Sequence, residues 1–147
     1  MKKLFLLLSC LFFLGTGTLC AQQGNEVQIE PGNPAFQALY QNFDFKGNFS
    51  SLVLQDAENN YYLVDFSKLP GRYEKVFFMN LTFSEGNIVN MDADLGHDKI
   101  WFLANKKYAE KDILKLFSTL KEKTDRSSQT LTGEQKSAWL KANDKYK

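Results

Sequence analysis

Cysteine is scarce in this chain and histidine scarcer. The two cysteines, Cys10 and Cys20, both lie ahead of Ala21, and His97 is the single histidine. One histidine without thiolates is too few nitrogen and sulfur donors for a zinc site. If the leader is removed after Ala21, no disulfide framework and no Cys/His nucleophile pair remain, so the core alone must hold the mature chain. No Gly-x-Ser-x-Gly elbow, phosphate loop or dinucleotide fingerprint occurs outside the leader, where Gly15 and Gly17 sit. Past Leu14 no apolar run approaches the roughly 20 residues that a membrane span needs. There is no internal repeat and no low-complexity segment.

Met1-Lys2-Lys3 followed by the apolar Leu4–Leu14 and the small-residue stretch up to Ala21 reads as a secretory signal peptide, 1–21. The expected mature chain is 22–147, one exported domain in the periplasm or secreted. Lipid anchoring on Cys20 is disfavoured, because Leu19 and Gly17 reverse the small-residue and leucine order of a lipoprotein signal. About 126 residues suffice for one sizeable core.

Loss of Lys2 and Lys3 leaves 16 basic and 17 acidic residues. The signs are unevenly spread. Residues 22–104 carry five basic and eleven acidic side chains, whereas 105–147 carry eleven basic and six acidic. A solvated helical layer beside an acidic sheet accounts for this. The rival reading is a lysine face for a polyanion or anionic lipid, but Glu110, Asp112, Glu122 and Glu134 dilute it. Arginine, the better phosphate ligand, is sparse. Nucleic acid is therefore not an expected partner.

The expected fold is α+β. Asn33-Pro34 begins a short N-terminal helix over 34–42. About five antiparallel strands in a meander follow. The first lies within Phe43–Leu54 and the second is Tyr61–Phe66. The third is Val76–Phe83, with Phe77, Met79, Leu81 and Phe83 toward the core and Val76, Phe78, Asn80 and Thr82 opposite. The fourth and fifth carry Val89, Met91 and Ala93, and Ile100, Phe102 and Ala104. Ile113, Leu116, Phe117 and Leu120 stripe a helix at 109–123, packed on the sheet. Thr124–Leu131 breaks the pattern. Thr132 and Gln135 form a capping box for a last helix at 133–145. That helix docks through Trp139, or 133–147 is a loosely held or mobile tail.

Two groups of residues carry functional expectations. Tyr61, Phe78 and Trp101 fall on one sheet face, which with Trp139 forms a candidate binding surface unless helices 34–42 and 133–145 cover it. Asp92, Asp94 and Asp98 around Gly96 form a candidate Ca²⁺ site. The spacing departs from the EF-hand loop, and a solvated hairpin end is the alternative. No other cofactor is expected. Asp92, Asp94 and His97 also define the one place for a hydrolase.

The expected function is a non-enzymatic binding or adaptor module of the cell envelope. It would hold a protein, peptide or glycan through an exposed sheet face or edge. An apolar-ligand carrier with a pocket between the sheet and helix 109–123 is the alternative.

Overall fold

The computed structural model describes residues 34–146. The signal peptide, its cleavage position, Cys20, and the Asn33 cap lie outside them. The class is α+β, as expected. Helix α1 spans Pro34–Asn42. Strands β1 (Ser50–Gln55) and β2 (Asn59–Asp65) form a hairpin, and a 3₁₀ turn at Phe66–Lys68 leads to helix α2 (Arg72–Ser84). A second hairpin, β3 (Ile88–Met91) and β4 (Lys99–Asn105), precedes α3 (Glu110–Thr130) and α4 (Gly133–Asn143).

The sheet order is β1-β2-β4-β3 and every neighbouring pair is antiparallel. β2 and β3 therefore run parallel with β4 between them, and α2 is the crossover that joins them, as parallel strands require. The strands do not form the simple meander expected, because the Val76–Phe83 segment is helical.

Val76-Phe77-Phe78-Met79 is apolar at every position, so alternation and helical spacing fit it equally well. Three local features favour helix. Gly71 is the N-cap, Glu74 occupies the first turn, and Gly86, at φ 69°, follows the last turn in the left-handed region. The faces differ accordingly. Val76, Phe78, Met79 and Thr82 are buried, while Phe83 is 57% exposed.

Helix α3 also runs past its expected end. Thr124, which reads as a breaker, is fully buried and donates its hydroxyl to the Leu120 carbonyl at 2.8 Å. It extends the stripe of Ile113, Phe117 and Leu120 by another turn. Ser127 shares a 2.6 Å hydrogen bond with the Tyr73 hydroxyl, and Ser128 donates to Glu74. These hydroxyls serve the helix itself or bind α2, rather than ending α3.

The main core lies between one face of the sheet and helices α2 and α3. Four fully buried phenylalanine rings sit at its centre: Phe66, Phe78, Phe102 and Phe117. Phe78 lies 5.9 Å from Phe66, 6.1 Å from Phe102 and 6.3 Å from Phe117, ring centre to ring centre. On the opposite face Tyr61, Leu63 and Trp101 pack with Phe45, Tyr40 and Phe43, from α1 and the segment after it. The sheet is covered on both sides.

Helix α4 starts at the expected capping box, with both reciprocal bonds between Thr132 and Gln135 formed. It docks on α2. Trp139 meets Tyr73 and Phe77 edge-on at 5.2 and 5.3 Å. Lys136 donates to the Glu74 carboxylate at 3.0 Å and to the Ser128 hydroxyl at 2.6 Å. Arg72 grips Asp144 through two hydrogen bonds and also donates to the Tyr146 carbonyl.

Phe78→Ala empties the contact point of α2, α3 and the sheet, and is expected to cost ~3–5 kcal/mol in urea unfolding. Phe83→Ala, on the exposed side of the same helix, should change stability by less than ~0.5 kcal/mol. Equal losses would place the core elsewhere.

Burial raises the Glu74 pKa. The hydrogen bonds from Ser128, its own amide and Lys136, together with the Lys136 charge, outweigh that and hold it below its usual 4.5. The stabilisation is thus present above pH 4.5 and lost as the pH falls through the lower folded value. In a Trp101→Phe background, Trp139 fluorescence should report weakening of the α4 contact in that acidic window. Glu74→Gln should flatten the dependence.

Candidate functional site

With both faces of the sheet covered, its outer strands are what it presents. Among the described residues no strand flanks β1 on the side away from β2. The Asp65 amide donates to the Phe49 carbonyl at 2.8 Å, and Phe49 lies opposite Asp65 by the register of the hairpin. Polar backbone groups alternate in direction along an antiparallel strand. Phe49 and Ser51 therefore turn theirs toward β2, and Ser50 and Leu52 turn theirs outward. A register shift between Leu52 and Leu54 ends the regular edge.

Alongside that edge runs an open groove of ≈ 460 Å³ between β1 and α3. Asn48, Phe49, Ser50, Ser51 and Leu52 line one side, with Glu110, Leu114 and Ser118 of α3 on the other. The helical residues recur every four positions, so a single stripe of α3 forms the wall. The chain reaches this edge through a tight turn. Lys46 (φ 48°) and Gly47 (φ 84°) are left-handed there, and Lys68 donates to the Gly47 and Asn48 carbonyls at 2.6 and 2.9 Å. The other outer strand, β3, is shorter and also has a register shift, between Ile88 and Asn90.

The acidic turn is assembled differently from a cation site. Asp92 and Asp94 lie on either side of His97, whose Nδ1 is 3.6 Å from a carboxylate oxygen of each. Asp92 and Asp94 also accept backbone amides of the turn, from Asp94 at 2.9 Å and Gly96 at 2.8 Å. Asp98 takes part through its backbone, as its carbonyl accepts the Phe66 and Ser67 amides. Among the described residues no group of three or more His, Cys, Asp or Glu side chains is arranged to hold a metal ion. The expected three-carboxylate arrangement of Asp92, Asp94 and Asp98 is not formed. One oxygen of each of the Asp92 and Asp94 carboxylates accepts an amide of the turn and the other faces His97.

Next to this turn Tyr40, Met91, Trp101 and Gln37 line a depression of ≈ 340 Å³ together with Asp92, Asp94 and His97. The Tyr40 hydroxyl donates to the Lys99 carbonyl, and the Lys99 ammonium caps α1 through the Tyr40 and Gln41 carbonyls. Burial and then the charges of Asp92, Asp94 and Asp98 push the Tyr40 phenol above its usual range.

The four aromatic residues expected to mark a binding surface do not share one. Tyr61 and Trp101 do lie on the same sheet face, but they are 7% and 6% exposed beneath α1 and the segment after it. Phe78 is at the centre of the main core on the other side, because it belongs to a helix. Trp139 is half-buried against α2. Ser50, Leu52, Glu110, Leu114 and Ser118, which no sequence motif singles out, are brought together by the fold. Their pattern holds no local signal. Strand order decides that β1 is outermost, and strand order is a non-local property.

Tyr61 instead anchors the β1–β2 hairpin. Its hydroxyl donates to Asp56 at 2.8 Å, and Asp56 also accepts the Glu58 and Asn59 amides. Burial, the bond to Asp56 and the charge of Asp56 push the Tyr61 phenol up to about 12. The unfolded chain would ionise this group near its ordinary 10.0, so its contribution to stability falls as the pH rises from there through about 12. Absorbance titration should show a tyrosine ionising at about 12, and Asp56→Asn should lower that transition. An unchanged transition would mean that the hairpin contact is not what holds it.

In comparison with known proteins the chain matches no family model, no curated protein and no solved structure.

Proposed function

We propose that this chain is an exported, non-enzymatic module that holds an extended polypeptide segment of an envelope partner along the β1 edge. One observation carries the reading. Both sheet faces are covered by packed side chains, while β1 turns the backbone groups of Ser50 and Leu52 outward beside the groove against α3. An added strand gains main-chain hydrogen bonds from such an edge and specificity from the side-chain groove beside it. Export is supported by the Met1–Ala21 pattern of positive, apolar and small residues.

The reading without catalysis is supported at two places. His97 sits between two carboxylates on a half-exposed turn, with no serine, threonine or cysteine in the contacts that hold it. The Ser128 hydroxyl lies 2.6 Å from the Lys136 ammonium, but it donates to Glu74, which also pairs with that ammonium at 3.0 Å, so both groups are engaged in attaching α4. Between the sheet and α3, where a carrier would need room, Tyr62, Phe102, Phe117 and Leu120 are fully buried. Tyr62 and Phe117 touch at 5.8 Å.

The test is selection of short linear peptides on immobilised mature protein, followed by amide mapping of the bound state. Bound peptides are expected to shift and protect the Ser50 and Leu52 amides. Ser50→Pro removes an outward N–H without breaking the β1–β2 ladder. It should therefore reduce binding about tenfold or more while leaving the melting temperature within a few degrees. A selection that enriches no peptide, or peptides that perturb other surfaces and leave these two amides unchanged, would overturn the reading.

A further inference from the structure

The groove beside β1 also constrains the chemistry of its occupant, an inference that rests on strand binding at that edge. The alignment of α3 along β1 sets which residues are level with one another. The Lys121 ammonium lies 5.7 Å from the centre of the Phe49 ring. Going back along α3 at about 1.5 Å per residue, Ser118 falls about 4.5 Å away and Leu114 about 10 Å away. Glu110 falls about 16 Å away on the same scale. Along β1, at about 3.3 Å per residue, Ser50 is about 3 Å from Phe49, Leu52 about 10 Å and Leu54 about 16 Å. Ser118 is thus level with Ser50, Leu114 with Leu52, and Glu110 with the end of β1. The Glu110 charge also acts on the Tyr62 phenol, and Tyr62 is the cross-strand partner of Leu52.

Side-chain direction then selects which occupant residues enter the groove. Leu52 packs with the main core, on the face of the sheet that carries α3, and Ser50 shares that face by the two-residue period. Occupant residues paired with Leu52 and Ser50 would point the same way, into the groove. The first would lie against Leu52 and Leu114, and the second beside Ser50 and Ser118.

Charge distinguishes the two ends. Glu110 is the one charged residue among those that line the groove. At the opposite end the Lys121 ammonium is bound to Asp125 at 2.6 Å, so its charge is answered within α3.

We infer that the groove takes a strand running antiparallel to β1 whose inward residues are, in order, basic, apolar, and a small hydroxyl or amide, with one outward residue between each. The basic side chain meets Glu110, the apolar one fills the notch between Leu52 and Leu114, and the small polar one meets Ser50 and Ser118. The antiparallel direction is favoured because its ladder is the more stable per residue. It also fixes the order, since reversal would carry the cation to the Ser118 end.

The experiment uses fluorescence anisotropy with three capped synthetic peptides and mature protein. One has the core Lys-Thr-Leu-Thr-Ser, the second has that core in reverse order, and the third has Glu in place of Lys. The first is expected to bind about two- to fivefold tighter than the other two, the range of a single part-solvated ion pair. Glu110→Lys should invert the preference between the Lys and Glu peptides.

Equal binding of forward and reversed peptides, or an unchanged preference in Glu110→Lys, would overturn this inference. If the Ser50 and Leu52 amides still respond, the edge reading survives that result. If they respond to none of the three peptides nor to any selected one, both fall.

Discussion

The contact among Phe66, Phe78, Phe102 and Phe117 is the constraint on which the rest of the architecture depends. Each ring comes from a different element: the 3₁₀ turn, α2, β4 and α3. Their edge-on and tilted contacts bury large apolar areas and add pairwise attraction beyond burial. Because α2 supplies the middle ring, the crossover must lie on the same face of the sheet as α3. That leaves the opposite face to α1 and the Phe43/Phe45 segment, whose rings touch at 5.0 Å.

This layering limits what the molecule can present to a partner. A sheet covered twice has its edges left. β3 is short and bulged, and its one large exposed apolar residue, Val89, stands singly. β1 is longer and is flanked by a wall of α3 that stands off far enough to leave a groove. Exposed edges are a liability in monomeric proteins, and bulges are a common defence. Here the register shift after Leu52 limits the regular edge to a short stretch.

Polar contacts do a separate task, attaching α4. That helix has no buried residue among those described and relies on Trp139, the Lys136–Glu74–Ser128 cluster and the Arg72–Asp144 pair. Such contacts depend on pH and salt more than the aromatic core does.

Local pattern in the chain determined a good deal. Helix 34–42, the strand character around Tyr62 and Phe102, the α3 stripe of Ile113, Phe117 and Leu120, and the Thr132–Gln135 cap are all short-range signals, and the structure contains each. The period of Val76–Phe83 was ambiguous, because Val76–Met79 is apolar at every position, and only the flanking Gly71, Glu74 and Gly86 favour helix. Thr124 and Ser128 misled for a related reason, as hydroxyls that read as turn formers found acceptors inside α3 and on α2. Which strand is outermost, which aromatic residues are covered, and which side chains of β1 and α3 share a groove depend on strand order and on contacts between residues distant in sequence. Only the tertiary structure decided those, because burial and edge position are properties of the assembled layers and no local period encodes them.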